Sequence, residues 1–247
     1  MRNAITVALA LGLAATAASA QQSEMSGARV QVRVYDNGVV PAADQTVALR
    51  AAAGVLAAAG IDVSWLLCGV DESVVNPETC DAPLGRTELS VRFVRLAGVP
   101  SAHGQLQLGY SLVDTTIGEG KLATVYVDRV HWLAAQAGAD TSTVLGFAAA
   151  HEIGHLLLGT NAHAPSGLMR AVWSRRELEH AQVSDWLFSR EEASSMRSSL
   201  AQRNGLRSSQ RDATGCPASR RGDADPPAEC GGSAFASLRG VAARPDR

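Results

Sequence analysis

The stretch Asp140-Thr141-Ser142-Thr143-Val144-Leu145-Gly146-Phe147-Ala148-Ala149-Ala150-His151-Glu152-Ile153-Gly154-His155-Leu156-Leu157-Leu158-Gly159 decides how the chain is read. Asp140 or the hydroxyls after it can cap the first free amides of a helix. Apolar residues fill the body, and Gly159 can take the positive-φ conformation that ends a helix. A helix from about residue 140 to Leu158 is therefore expected. Within it His151 and His155 stand four apart, one turn from each other on the same face, with Glu152 three residues before His155. Leu156, Leu157 and Leu158 follow directly, so the helix is apolar enough to be buried. Buried His and Glu without partners are costly, and a metal ion removes that cost.

Upstream, residues 28 to 40 alternate through Val30, Val32 and Val34 and then meet Asn37-Gly38, which reads as a strand and a turn. A helix is expected over 44 to 59, with Gly60 as its stop signal. Strands are expected over Ile61 to Leu67, Glu88 to Leu96, Gln105 to Val113 and Ala123 to Val130. A helix over about 131 to 137 precedes the motif helix, and two helical stretches follow it, near 174 to 187 and 189 to 202. Strand, helix, four strands and then helices describe an α/β domain with a mixed sheet.

The ends read differently. Met1-Arg2, an apolar run over 4 to 18 and Ala18-Ser19-Ala20 have the layout of a secretory signal peptide covering residues 1–20, with a mature start near Gln21. Roughly 225 residues then remain, enough for a full core. They are divided into a domain over 21–203 and a tail over 204–247, where Ser, Arg, Asp, Gly and Pro dominate and no apolar period persists. The 22 basic and 24 acidic residues nearly cancel, which gives no case for a nucleic-acid or membrane-surface partner. Four cysteines in an exported chain point to disulfides. Cys68 with Cys80 and Cys216 with Cys230 is the sequence-local pairing, one of three connectivities. The expected location is the periplasm or the outside of the cell.

The chemistry follows from the motif. Two imidazoles four residues apart can reach one zinc ion and leave room for a third protein ligand and a water. Bound zinc brings the pKa of that water to about 7, and Glu152 can take its proton and pass it to a leaving amine. The five-residue pattern arises by chance in roughly one such chain in a hundred.

Beyond the motif, Gly159, His163 and Met169 resemble the corresponding features of the metzincin zinc peptidases, and Ser166-Gly167-Leu168-Met169 is similar to their Met-turn. Three residues separate His155 from Gly159 and three more precede His163, so the clan's spacing is expanded by two. Ala171 stands where some members carry a Tyr. The resemblance implies a mixed twisted sheet with an antiparallel edge strand, an active-site helix, a Met-turn and C-terminal helices over roughly 29 to 200. It implies zinc held by His151, His155 and His163, Glu152 as general base and acid, Met169 beneath the metal, and a peptide or protein substrate.

Two alternatives stay open. A thermolysin-like peptidase would use Glu177 or Glu179 as third ligand, and a secreted binding module would keep the fold without catalysis. Asn161 is a poor zinc ligand. His103, His131 and His180 read as surface or cap residues, and Tyr110 as a strand residue. Arg170 and Trp173 read equally as subsite or packing residues. Oligomeric state is not encoded in any feature of the chain.

Overall fold

The computed structural model describes residues 28–69, 77–96, 106–179 and 183–214. The expected signal peptide, the Cys216–Cys230 pair, His103 and His180 lie outside the described residues. The elements run β1 (Ala28–Asp36), α1 (Ala42–Ala58), β2 (Ile61–Cys68), α2 (Pro77–Asp81), β3 (Glu88–Val94), β4 (Gly109–Asp114), β5 (Glu119–Tyr126), α3 (Val127–Ala137), α4 (Thr141–Leu158), α5 (Arg175–Glu179), a 3-10 turn (Val183–Trp186) and α6 (Arg190–Thr214).

The α/β class with a mixed sheet is as expected. The strand order is β2-β1-β3-β5-β4. β1 pairs in parallel with β2 and β3, and β3 with β5, while β4 runs antiparallel to β5 at the edge. Alternation puts Val30, Val32, Val34, Leu89, Val91, Phe93, Ala123 and Val125 into the core. Each of the Val, Leu and Phe side chains, fully buried, stabilises by about 1.5–3 kcal/mol.

Several boundaries differ from the sequence reading. The fifth strand was expected over Ala123 to Val130, but β5 ends at Tyr126 and α3 begins at Val127. Val130, Leu133, Ala134 and Ala137 bury one helical face of α3, and that spacing prevails over the β-branched run Val125-Tyr126-Val127. The edge strand starts at Gly109 rather than Gln105, although the Leu108 carbonyl already accepts from the Tyr126 amide at 2.8 Å. The single helical stretch expected over 174 to 187 is the short α5 and the 3-10 turn instead. α6 runs on to Thr214, eleven residues past 203, because helix propagation needs no apolar face once its first turns are packed.

Helix α4 is the centre of the domain, with fourteen of its eighteen residues buried. The Asp140 carboxylate accepts from the Thr143 amide at 2.8 Å at its start, and Gly159 at φ 67° ends it. It packs against β3, β4, β5, α1, α3 and α6. Small residues permit this crowding. A Cβ at Gly146 would strike the Ala48 carbonyl oxygen of α1, and one at Gly159 would strike Gly118 in the β4–β5 turn.

On the sheet's other face Arg33, buried, donates to the Ala82 carbonyl at 2.5 Å and pairs with Glu88 at 2.6 Å, while Tyr35 donates to the Cys80 carbonyl at 2.6 Å. These bonds pin a loop closed by a Cys68–Cys80 disulfide, the local pairing expected for these two cysteines and compatible with an exported protein. At the far end of the chain Arg203, buried, donates to the Leu156 carbonyl at 2.9 Å, in the last turn of α4, and Arg197 donates to the Ala59 carbonyl at 2.6 Å. Among the described residues no helix is long and apolar enough to cross a membrane.

The contact at Gly146 sets two effects against each other. Alanine is the better helix former by about 1 kcal/mol, but its methyl would push on backbone, and overpacking costs about 1–3 kcal/mol. Gly146→Ala is expected to destabilise the fold by up to about 2 kcal/mol in urea unfolding; a more stable variant would show that α1 and α4 separate freely.

Candidate metal centre

His151 and His155 project from α4 and are buried, together with Glu152. The chain after Gly159 doubles back and orients both rings. His151 Nδ1 lies 2.8 Å from the Leu168 carbonyl oxygen, and His155 Nδ1 lies 2.8 Å from that of Thr160. A carbonyl only accepts, so each Nδ1 carries the hydrogen and each neutral ring leaves Nε2 bare. Those two bare nitrogens face each other at 3.1 Å. Two lone pairs at that distance repel unless a cation lies between them. Nitrogens about 2.0–2.1 Å from one tetrahedral ion would stand about 3.3–3.4 Å apart, so the separation is within a few tenths of an ångström of what two ligands sharing a metal require.

His163 completes the group. Its ring centroid lies 4.8 Å from that of His155 and 5.4 Å from that of His151, and one ligand atom from each of the three residues lies within 4.8 Å of the others. Three neutral imidazoles fit a divalent metal ion of borderline softness. Neither Glu177 nor Glu179 joins them. Glu177 pairs with Arg170 at 3.0 Å and accepts from the Ser174 amide at 2.7 Å, and Glu179 pairs with Arg175. The carboxylate alternative for the third ligand is thus not what the fold assembles.

The turn that follows is closed by the Ala164 amide donating to the Met169 carbonyl at 2.8 Å, with Gly167 at φ 76°. Met169 is buried against α4 at Gly154, where an added Cβ would meet its sulfur at 2.7 Å and the Phe188 ring at 2.6 Å. The missing side chain at Gly154, between the two helix histidines, is what admits both. Trp173 meets the His151 ring edge-on at 5.7 Å. His131 is exposed, as expected for a surface residue.

All three histidines line a cleft of about 550 Å3, which Glu152 shares. Gly109, Tyr110 and Ser111 of β4 form one wall, and Arg170 and Trp173 stand on another. Burial pushes the His151 imidazole down to about 3, against the Leu168 hydrogen bond and helped by the neighbouring histidines. Burial likewise lowers His155 and His163. The Glu152 carboxyl is pushed up to about 7 by burial, against the hydrogen bond from Ser111.

Two residues at this site escaped the sequence reading. Ser111 Oγ lies 2.7 Å from Glu152 Oε2. A Cβ at Gly109 would lie 2.7 Å from Glu152 Oε1, so the carboxylate occupies the space a side chain would need. The available signal was a Gly and a Ser two apart in a strand, where small residues mark a close approach.

Comparison with protein-family models and with curated proteins finds no match to this chain.

Metal-stripped protein titrated with zinc or cobalt is expected to take up one ion per chain. His151→Ala, His155→Ala and His163→Ala should each weaken binding more than about a hundredfold, beyond what losing an outer partner costs. Glu177→Ala and Glu179→Ala should leave it unchanged; a loss at either would return the third ligand to a carboxylate.

Acid should act on the metal-free fold in a definite window. The unfolded chain protonates His151 near 6.5 and the folded chain only near 3, so the stability gained by burying it neutral is lost as pH falls through that range. Glu152, raised from 4.5 to about 7, contributes stability that is full below 4.5 and lost as pH rises through 7. Of these two groups only His151 still changes below 4.5. Metal-free protein should lose stability between about pH 4.5 and 3, and His151→Ala should flatten that slope in unfolding series; an unaltered slope would assign the titration to another group.

Proposed function

We propose that this protein is an exported, zinc-dependent hydrolase of peptide bonds, resembling the metzincins. The observation that carries the reading is the convergence of His151, His155 and His163 in a cleft that also holds the Glu152 carboxyl, beside β4, the edge strand among the described residues. When bound, zinc supplies a Lewis acid that polarises a substrate carbonyl and acidifies water.

The chain's own groups do the rest. The Leu168 and Thr160 carbonyls keep both helix imidazoles in the tautomer that offers Nε2. Glu152, with its affinity for a proton brought near neutrality by burial, takes a proton from the attacking water and delivers it to the leaving amine nitrogen. The outer edge of β4 offers free backbone groups to an extended peptide, which would add as a further strand. Trp173 and Arg170 also line the cleft, and Arg170 is already held by Glu177 and by the Asp185 carbonyl at 3.0 Å. Met169 supports the floor. The Cys68–Cys80 disulfide suits an oxidising compartment such as the periplasm or the extracellular space.

A casein or peptide-library assay on zinc-loaded protein is the direct test. Glu152→Gln should remove nearly all hydrolysis while zinc stays at one per chain. Retained activity, or loss of the zinc with the carboxylate, would make Glu152 something other than the proton carrier. An inert wild type with a full metal site would favour a binding module.

A further inference from the structure

Ser111 lies two residues after Gly109 on β4, so both face the same side of the strand, and both meet Glu152. The Ser111 hydroxyl stands at hydrogen-bond distance from two oxygens of that one residue: 2.7 Å from carboxyl Oε2 and 2.8 Å from the backbone carbonyl. A hydroxyl has one proton to give and can also accept. When Glu152 is a carboxylate, Ser111 donates to Oε2. When the carboxyl carries a proton, it donates to Ser111 Oγ, and the hydroxyl proton turns to the Glu152 carbonyl. Both patterns use the same heavy-atom positions. The carboxyl therefore keeps its place while a proton comes and goes, and the hydroxyl need only rotate.

The other carboxyl oxygen is confined as well. The chain at Gly109 leaves Glu152 Oε1 just enough room, since a Cβ there would lie 2.7 Å from it and 2.9 Å from Cγ. Ser111 fixes one oxygen by a directed bond and Gly109 bounds the other by contact. Ser111 is itself held in register with Ala123 of β5.

We propose that Ser111 is the positioning residue of Glu152, a hydroxyl that ties the carboxyl to the edge strand. The inference rests on the hydrolase reading above. It adds that the strand offered to the substrate and the group that moves the proton are joined by one hydrogen bond.

The test uses the full chain loaded with cobalt and follows the visible spectrum. Acetohydroxamate chelates the metal and gives a hydrogen bond to a correctly placed carboxylate, whereas imidazole needs only an open metal position. Ser111→Ala should bind acetohydroxamate about five- to tenfold more weakly, the scale of one hydrogen bond, and bind imidazole as wild type does. Ser111→Thr should restore acetohydroxamate to within about twofold of wild type; should that variant fail to take up one cobalt per chain, Ser111→Cys, a weaker donor, should give an intermediate affinity. Wild-type acetohydroxamate binding in Ser111→Ala, a parallel loss of imidazole, or no recovery with a restored donor would overturn the proposal. Glu152→Gln separates the two readings. If it weakens acetohydroxamate while Ser111→Ala does not, only the role of Ser111 falls; if it leaves the affinity untouched, the assignment of Glu152 falls and takes Ser111 with it.

Discussion

Two backbone carbonyls govern this site. By accepting from Nδ1 of His151 and His155, Leu168 and Thr160 force both rings to present an unprotonated Nε2 to the same point. Without a cation that arrangement is repulsive, and burial keeps either ring from relieving it by taking a proton. The fold thus sets two imidazole nitrogens side by side, 3.1 Å apart. Both carbonyls belong to the segment after Gly159, so the reversal at φ 67° is as much a part of the site as the histidines. The same segment carries His163 and Met169, which makes one turn responsible for orienting two ligands, supplying a third and covering the floor.

That demand explains the composition of α4. A helix buried on all sides must approach its neighbours closely, and Gly146, the three alanines at 148 to 150 and Gly154 keep its surface thin. Gly146 lets α1 lie against it, and Gly154 admits Met169 and Phe188. Its large side chains fill the remaining space: Leu156 and Leu157 are fully buried, and Phe147 stacks on Trp186. Packing of this kind resists rearrangement, which suits a site whose ligand nitrogens must hold their spacing.

Much of this was legible in the residues. The Asp140 cap, the Gly60 and Gly159 stops and the alternation of Val30, Val32 and Val34 are local signals, and each element they marked is present. The ring faces of His151 and His155 follow from helical periodicity alone. His163 was preferred over Glu177 from the Gly159 turn and its distance to Met169, but what occupies Glu177 instead, its engagement by Arg170 and Ser174, depends on the folded chain. The start of α3 was misread because Val125 to Val127 are good strand residues, and only the buried face of Val130, Leu133 and Ala137 reveals the helix. Ser111 stayed hidden for the same reason. Its partner lies 41 residues away, and a strand serine carries no mark of the carboxyl it meets.

Arg203 gives the domain an order of assembly. Its guanidinium closes on the last turn of the histidine helix from a position 47 residues later in the chain, and Arg197 reaches back 138 residues to the end of α1. A chain emerging from a ribosome or crossing a membrane exposes His151, Glu152 and His155 well before either arginine follows. Until residue 203 arrives, the Leu156 carbonyl at the exit of α4 lacks this donor. A chain ending short of residue 203 thus carries the three clustered histidines without the bond that ties down the exit of their helix.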